Sequence, residues 1–180
     1  RAIVKAGLKL INTDAKIGIC VLKKSTNSKA EHFSATDVAF QICPRINAAG
    51  RMDTANLAVD LLTCEDNEIA EYKAEQLNLE NTHRHEVEEK IDKDIAEIMA
   101  NDRAYQTDRV IVVAGHNYHK GVIGICAAHL VELYSKPAIV IGIDDEGNAT
   151  GSARSIDGFN IFEAISSCSD ILTHFGGHPL

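Results

Sequence analysis

Tryptophan is absent from this sequence, and aromatic residues of every kind make up only 5% of it. Few rings are therefore available as the aromatic stacking platforms that nonspecific single-strand binders use. The five cysteines, Cys20, Cys43, Cys64, Cys126 and Cys168, are odd in number and never spaced C-x-x-C. That pattern argues against a disulfide framework and against a zinc ribbon, and favours packed, reduced thiols in a cytosolic protein. Long apolar runs are also missing. The longest, "VIVVAG" and "PAIVIGI", fall well short of the ~18 residues that a membrane helix needs. No basic-then-apolar leader opens the chain and no methionine stands at position 1, so a fragment of a longer protein is expected.

What is present is 180 residues, 45% of them apolar, enough for one domain or two small ones. The net charge of −8 is unevenly spread. Residues 65–105 hold 13 acidic and 5 basic groups and account for the whole excess, whereas residues 1–64 carry 9 basic and 5 acidic groups, a net of +4. A modest basic surface near the N-terminal part is compatible with these counts, as is ordinary scatter.

The acidic stretch organises the chain. Between Asp66 and Asn101 there is neither Gly nor Pro, and Val87, Ile91, Ile95 and Ile98 recur at helical spacing. One long helix, or two in tandem, is predicted. Its narrow apolar stripe suits a connector between two folded bodies better than a core element. Upstream, "ATDVAFQIC" and "TANLAVDLLTC" read as short helices, the second capped by Asp53 or Thr54. Downstream, the β-branched runs "RVIVVAG" and "KPAIVIGI" flank the helically spaced "GVIGICAAHLVELY", a β-α-β unit. A short strand "ATGSARS" and a helix from about Phe162 to Ser169 complete a small α/β domain beginning near Asp108.

Three stretches have the composition to bind a phosphate. In "PRINAAGRM", read as a small-residue turn between helices, Arg45 and Arg51 flank Asn47, Ala48, Ala49 and Gly50. Guanidinium groups fit phosphate oxygens bidentately, although a tight turn with two solvated arginines explains the spacing equally simply. In "GHNYHKGVIG", His116 and His119 precede a helix whose first turns are expected to hold Gly121 and Gly124. Free amides at a helix start attract anions, while the plainer reading gives the glycines to helix–sheet packing. H-x-x-H alone is a weak metal pattern. Finally, "GSARS" puts Ser152 and Arg154 on one side of a strand, and "FGGHP" offers the amides of Gly176 and Gly177 beside His178. Taken singly these could be a polar strand edge and an exposed glycine turn.

In order, "PRINAAGRM", the acidic helix, "HKGVIGI", "GSARSIDGFNIFEA" and "FGGHP" closely resemble the second half of the catalytic core of RecJ-type single-strand-specific DNA exonucleases, in the DHH phosphoesterase superfamily. The resemblance covers nearly the whole chain. It implies that residues 1–64 are the tail of a DHH domain, 65–105 a connecting helix and 106–180 a truncated DHH-associated domain. It further implies a metal-dependent 5′-to-3′ exonuclease of single-stranded DNA, using Mn2+ or Mg2+. No Asp-His-His run occurs here, and hence no D-x-D pattern that precedes one, so the metal ligands are expected in a domain absent from this chain.

By the same resemblance, Ser152 and Arg154 bind the 5′-terminal phosphate, Asn47 and Arg51 line the cleft between domains, and His178 with Gly176 and Gly177 holds a phosphate near the scissile bond. His119 is a further substrate-binding candidate. The implied setting is a cytoplasmic, monomeric enzyme of DNA repair and recombination, with a single-strand-binding protein as candidate partner and no membrane. Two other readings remain open at this point: an oligoribonuclease or nucleotide phosphatase of the same superfamily, and a catalytically inactive module that binds DNA or a partner.

Overall fold

A computed structural model describes residues 1–26, 28 and 30–179. They divide into two compact units, Arg1–His85 and Glu86–Leu180.

The first unit is helical: α1 (Ala2–Thr13), α2 (Ile17–Ser25), α3 (Ala35–Asp37), a π-helical stretch Val38–Ile42, α4 (Cys43–Met52), α5 (Asn56–Thr63) and the first part of α6 (Asn67–Asn101). Ser34 and Asp37 form a reciprocal capping box that starts α3. Its core joins Leu22, Phe33, Ile42, Leu61 and Leu77 with Ala49, Ala58, Ala70 and Ala74. Fully burying one such leucine is worth about 1.5–3 kcal/mol, and the alanines let the helices approach closely.

Two expectations are corrected here. "PRINAAGRM" is not a turn; it is the body of α4. Pro44 occupies the first turn of that helix, where a missing N–H is tolerated, and the wider π turn before it absorbs the interruption. Ala48 and Ala49 are then strong helix formers, both buried in the unit. The reversal follows at Asp53, whose amide closes the helix on Ala49 O. For that reason neither Asp53 nor Thr54 caps α5. The residue that turns into the helix is Ala55, which has no side-chain oxygen to offer.

Helix α6 is one continuous element of 35 residues. Ile91 and Ile95 are buried as the stripe predicts, with Val87 and Ile98 half-buried, but Met99 joins them. At the other end Ala70, Ala74 and Leu77 enter the core of the first unit. The helix is therefore core material at both ends as well as a connector.

In the second unit, after the C-terminal part of α6, come α7 (Ala104–Thr107), β1 (Ile111–His116), α8 (Ile123–Tyr134), β2 (Ala138–Ile143), β3 (Ala149–Arg154), α9 (Ile161–Ser166) and a 3-10 turn, Ser169–Ile171. The predicted α/β class and β-α-β order hold. The sheet runs β1-β2-β3, with β1 parallel to β2 and β3 antiparallel to β2. Alternate residues face α8, which packs across β2 and β3. Ile111, Val113, Ala138 and Val140 are buried on this face of the sheet, as are Ile123, Cys126, Ala127 and Leu130 of α8. On its other side α8 is clasped to α6: His129 Nδ1 meets Asp92 at 2.8 Å and its Nε2 lies 3.6 Å from Glu88. Among the described residues no helix is long and apolar enough to cross a membrane.

Candidate functional site

The rows of the sheet place the first group of candidates. On the face covered by α8, Ser152 pairs with Val140, which pairs with Val113; Arg154 pairs with Ala138, which pairs with Ile111. Two buried apolar rows thus end, on edge strand β3, in a hydroxyl and a guanidinium. As the i, i+2 spacing predicts, the two side chains meet, with Arg154 Nη1 donating to Ser152 Oγ at 3.3 Å and to Ala153 O at 2.7 Å. Arg154 is exposed and Ser152 partly so. Both crowd the first turn of α8, where Gly124 presents only backbone to them.

The loop between β1 and α8 supplies His119. Gly121, expected in the first turns of the helix, lies outside it because α8 begins at Ile123; it sits in the preceding turn and donates its N–H to His119 Nδ1 at 3.1 Å. With Nδ1 accepting, the neutral ring carries its proton on Nε2, as a donor. His116 is exposed at the end of β1 and is not drawn into this arrangement.

The anchor of the loop is Tyr118, which sequence reasoning missed. Its side chain is buried over the paired residues Gly115 and Gly142. A Cβ on Gly115 would collide with its ring, and one on Gly142 with its carbonyl oxygen. Burial pushes the Tyr118 hydroxyl up from its ordinary pKa, and the charge of Asp94 adds to this, so the ring is a neutral prop. The signal was available: two glycines ending adjacent apolar strands mark a place where something must approach closely.

"FGGHP" is tied at both ends. Phe175 packs on Phe162 of α9 with ring centroids 5.9 Å apart, and Ile161 N–H donates to Pro179 O at 3.1 Å. Asn160 caps the same helix by accepting from Glu163 N–H. Between these ties Gly176, Gly177 and His178 are exposed. A Cβ on either glycine would meet no protein atom within 4 Å. Internal packing therefore does not require glycine at either position, although Gly177, at φ +158°, holds a backbone conformation that residues with side chains rarely adopt.

In the first unit, Asn47 and Arg51 are one helical turn apart on α4 and both exposed, while Ala48 and Ala49 face the core. Arg45 points elsewhere, donating to Asn78 Oδ1 and Gln41 O, so the two arginines of the motif do not form a paired grip.

Glu88, Asp92 and His129 are the one group among the described residues with ligand atoms close enough to share a metal ion. They fit that role poorly. Asp92 faces one ring nitrogen and Glu88 the other, and an imidazole offers an ion only one nitrogen at a time. Cys126 lies behind Asp92, where burial and that carboxylate, with Glu88, push its thiol well up and keep it protonated. This is a helix-to-helix clasp.

Comparison with known proteins points to one family. Residues 107–180 match the DHHA1 domain. The single-stranded-DNA-specific exonuclease RecJ of Bacillus subtilis is 41% identical over 181 residues, covering all of this chain and 23% of that protein. RecJ of Haemophilus influenzae is 32% identical over 171 residues, covering 92% and 30% of the two chains. Among solved structures, RecJ from Thermus thermophilus in complex with Mn2+ superposes with a TM-score of 0.84 at 31% identity, covering 99% of this chain and 26% of its own. The same protein in complex with Mg2+ gives 0.83. The chain spans less than a third of the length of these relatives.

Proposed function

Because this chain belongs to the RecJ family, we propose that it is the substrate-gripping part of a divalent-metal-dependent exonuclease that removes nucleotides from the 5′ end of single-stranded DNA. Residues 1–64 are read as the tail of the DHH domain, 65–105 as the connecting helix and 106–180 as most of the DHH-associated domain. The ions that accompany the Thermus relative are Mn2+ and Mg2+. In this reading they are held by residues outside the chain, where they would activate water for attack on a phosphodiester. We read the working form as a cytoplasmic monomer acting on single strands exposed in repair and recombination, alongside a single-strand-binding protein.

The observation that carries the proposal is the Ser152–Arg154 pair. A guanidinium already held by a neighbouring hydroxyl, at an exposed strand edge, is pre-set for the oxygens of a terminal phosphate. His119 Nε2–H is a second donor, oriented by the Gly121 amide. His178 and the amides of Gly176 and Gly177 hold a phosphate nearer the scissile bond, a role supported by Gly176, which neither packing nor a positive φ demands. Asn47 and Arg51 add backbone contacts from one face of α4. The test uses the full-length protein. Arg154→Ala should weaken binding of 5′-phosphorylated DNA about 10-fold or more relative to 5′-hydroxyl DNA, the scale of one charged hydrogen bond. Equal losses for the two ends would remove Arg154 from this role. The 180-residue chain alone should release no nucleotides; chelator-sensitive nuclease activity in it would overturn the division of labour.

A further inference from the structure

Resting on the reading of Ser152 and Arg154 as the terminal-phosphate grip, we propose that Gly124 is its positioning residue: the volume left by the missing side chain is where the hydroxyl and the guanidinium fork lie, so residue 124 sets the preference for a phosphorylated 5′ end. A Cβ on Gly124 would stand 2.9 Å from Ser152 Oγ, 3.1 Å from Arg154 Nη2 and 3.6 Å from Ser152 Cβ. The first two are the polar atoms that the grip uses. Arg154 Nη1 is engaged by Ser152 Oγ and Ala153 O, so the fork is held on one side by β3 and on the other by bare helix backbone.

Gly124 lies inside α8 with helical neighbours on both sides, and alanine would suit that backbone better. Glycine at this position is thus disfavoured locally and needs another explanation. The atoms that an added methyl meets are ends of rotatable side chains, not main chain. Turning the serine rotamer and swinging the guanidinium would relieve the contact and leave the sheet undisturbed. The same movement would carry both groups off their shared target, so the substitution separates the grip from the fold.

The experiment compares Gly124→Ala, Arg154→Ala and the double variant in the full-length enzyme, with kcat/KM on otherwise identical oligonucleotides ending in 5′-phosphate or 5′-hydroxyl. Gly124→Ala should lower the phosphate-to-hydroxyl ratio about 10-fold, through KM, with the melting temperature kept or raised. In the Arg154→Ala background it should lower the ratio little further, because the two changes act on one group. An unchanged ratio in a folded Gly124→Ala enzyme would overturn the proposal, as would equal losses on both substrates or a melting temperature lowered by more than about 5 °C. If Arg154→Ala itself fails to discriminate the two ends, the phosphate assignment falls first. If Arg154→Ala discriminates and Gly124→Ala does not, only the role of Gly124 falls.

Discussion

Gly142→Ala would test whether the bare floor under Tyr118 sets the loop that carries His119. A Cβ at position 142 would stand closer than 3.0 Å to Tyr118 O, with Tyr118 C and Cβ each at 3.3 Å. The neighbour that must yield is main chain, in the segment that leads directly into His119. Restoring ordinary contact means lifting that carbonyl by about 1 Å in a packed interior that deforms reluctantly. Overpacking of this kind costs about 1–3 kcal/mol, offset by the ~0.5–1 kcal/mol that alanine gains over glycine in a strand. A net loss near 1–2 kcal/mol follows, or roughly 4–8 °C per kcal/mol for a unit of this size. The larger effect should be functional, since a 1 Å displacement of a positioning group can cost ~10²-fold in rate. Thermal unfolding of the 180-residue chain and steady-state kinetics of the full-length enzyme would measure the two parts. Gly115→Ala provides the contrast, because there the obstacle is the Tyr118 ring and Tyr118→Ala should relieve it. If Gly142→Ala leaves both melting temperature and kinetics at wild-type values, Tyr118 is not the anchor of the loop and the link to His119 is wrong.

Three further outcomes are expected. In the full-length enzyme His178→Ala should reduce turnover about 10²-fold with a smaller change in KM, and Gly176→Val, at a position with open space and no positive φ, should impair binding by its bulk; near wild-type kinetics in both folded variants would make "FGGHP" only a turn. Thiol reagents followed by mass spectrometry should modify exposed Cys168 quickly and Cys126 only on unfolding, since the latter is fully buried and its thiol is pushed up; equal rates would contradict the clasp. Asp144 closes the β2–β3 hairpin by accepting from the Asn148 side chain and from the amides of Asn148, Glu146 and Gly147, which lowers its pKa. Its contribution to stability is therefore present above the ordinary carboxylate range and is lost as pH falls through the lowered folded value. Asp144→Ala should flatten the acid limb of the pH–stability curve, and an unchanged limb would discount the turn.

Elements with a strong period were readable from sequence. The β1-α8-β2 unit and the second half of α6 follow from runs of Val and Ile and from a four-four-three spacing. What escaped was structure built from small residues. Ala70, Ala74 and Leu77 have the same helical spacing as the isoleucines, yet two methyl groups carry too little hydrophobicity to stand out. Gly50 and its small neighbours suggested a turn, and the π stretch that brings Pro44 into a helix has no local signature. In the site, the Ser152–Arg154 contact was legible because strand pleating fixes it. The crowding of that pair against Gly124, and of Tyr118 over Gly115 and Gly142, depends on which helix and loop lie above the sheet. Periodicity along the chain does not encode that.

The bond from Ile161 N–H to Pro179 O has a consequence for observation. Residues 172–179 are exposed almost throughout, and a stretch with so little burial opens at small free-energy cost. Each opening frees the Ile161 amide to exchange its hydrogen with solvent, while the rest of α9 can stay wound. That one amide is a clock for the docking of the glycine–histidine segment. A strand that binds there and holds the segment down would slow it, at a position the strand need not touch.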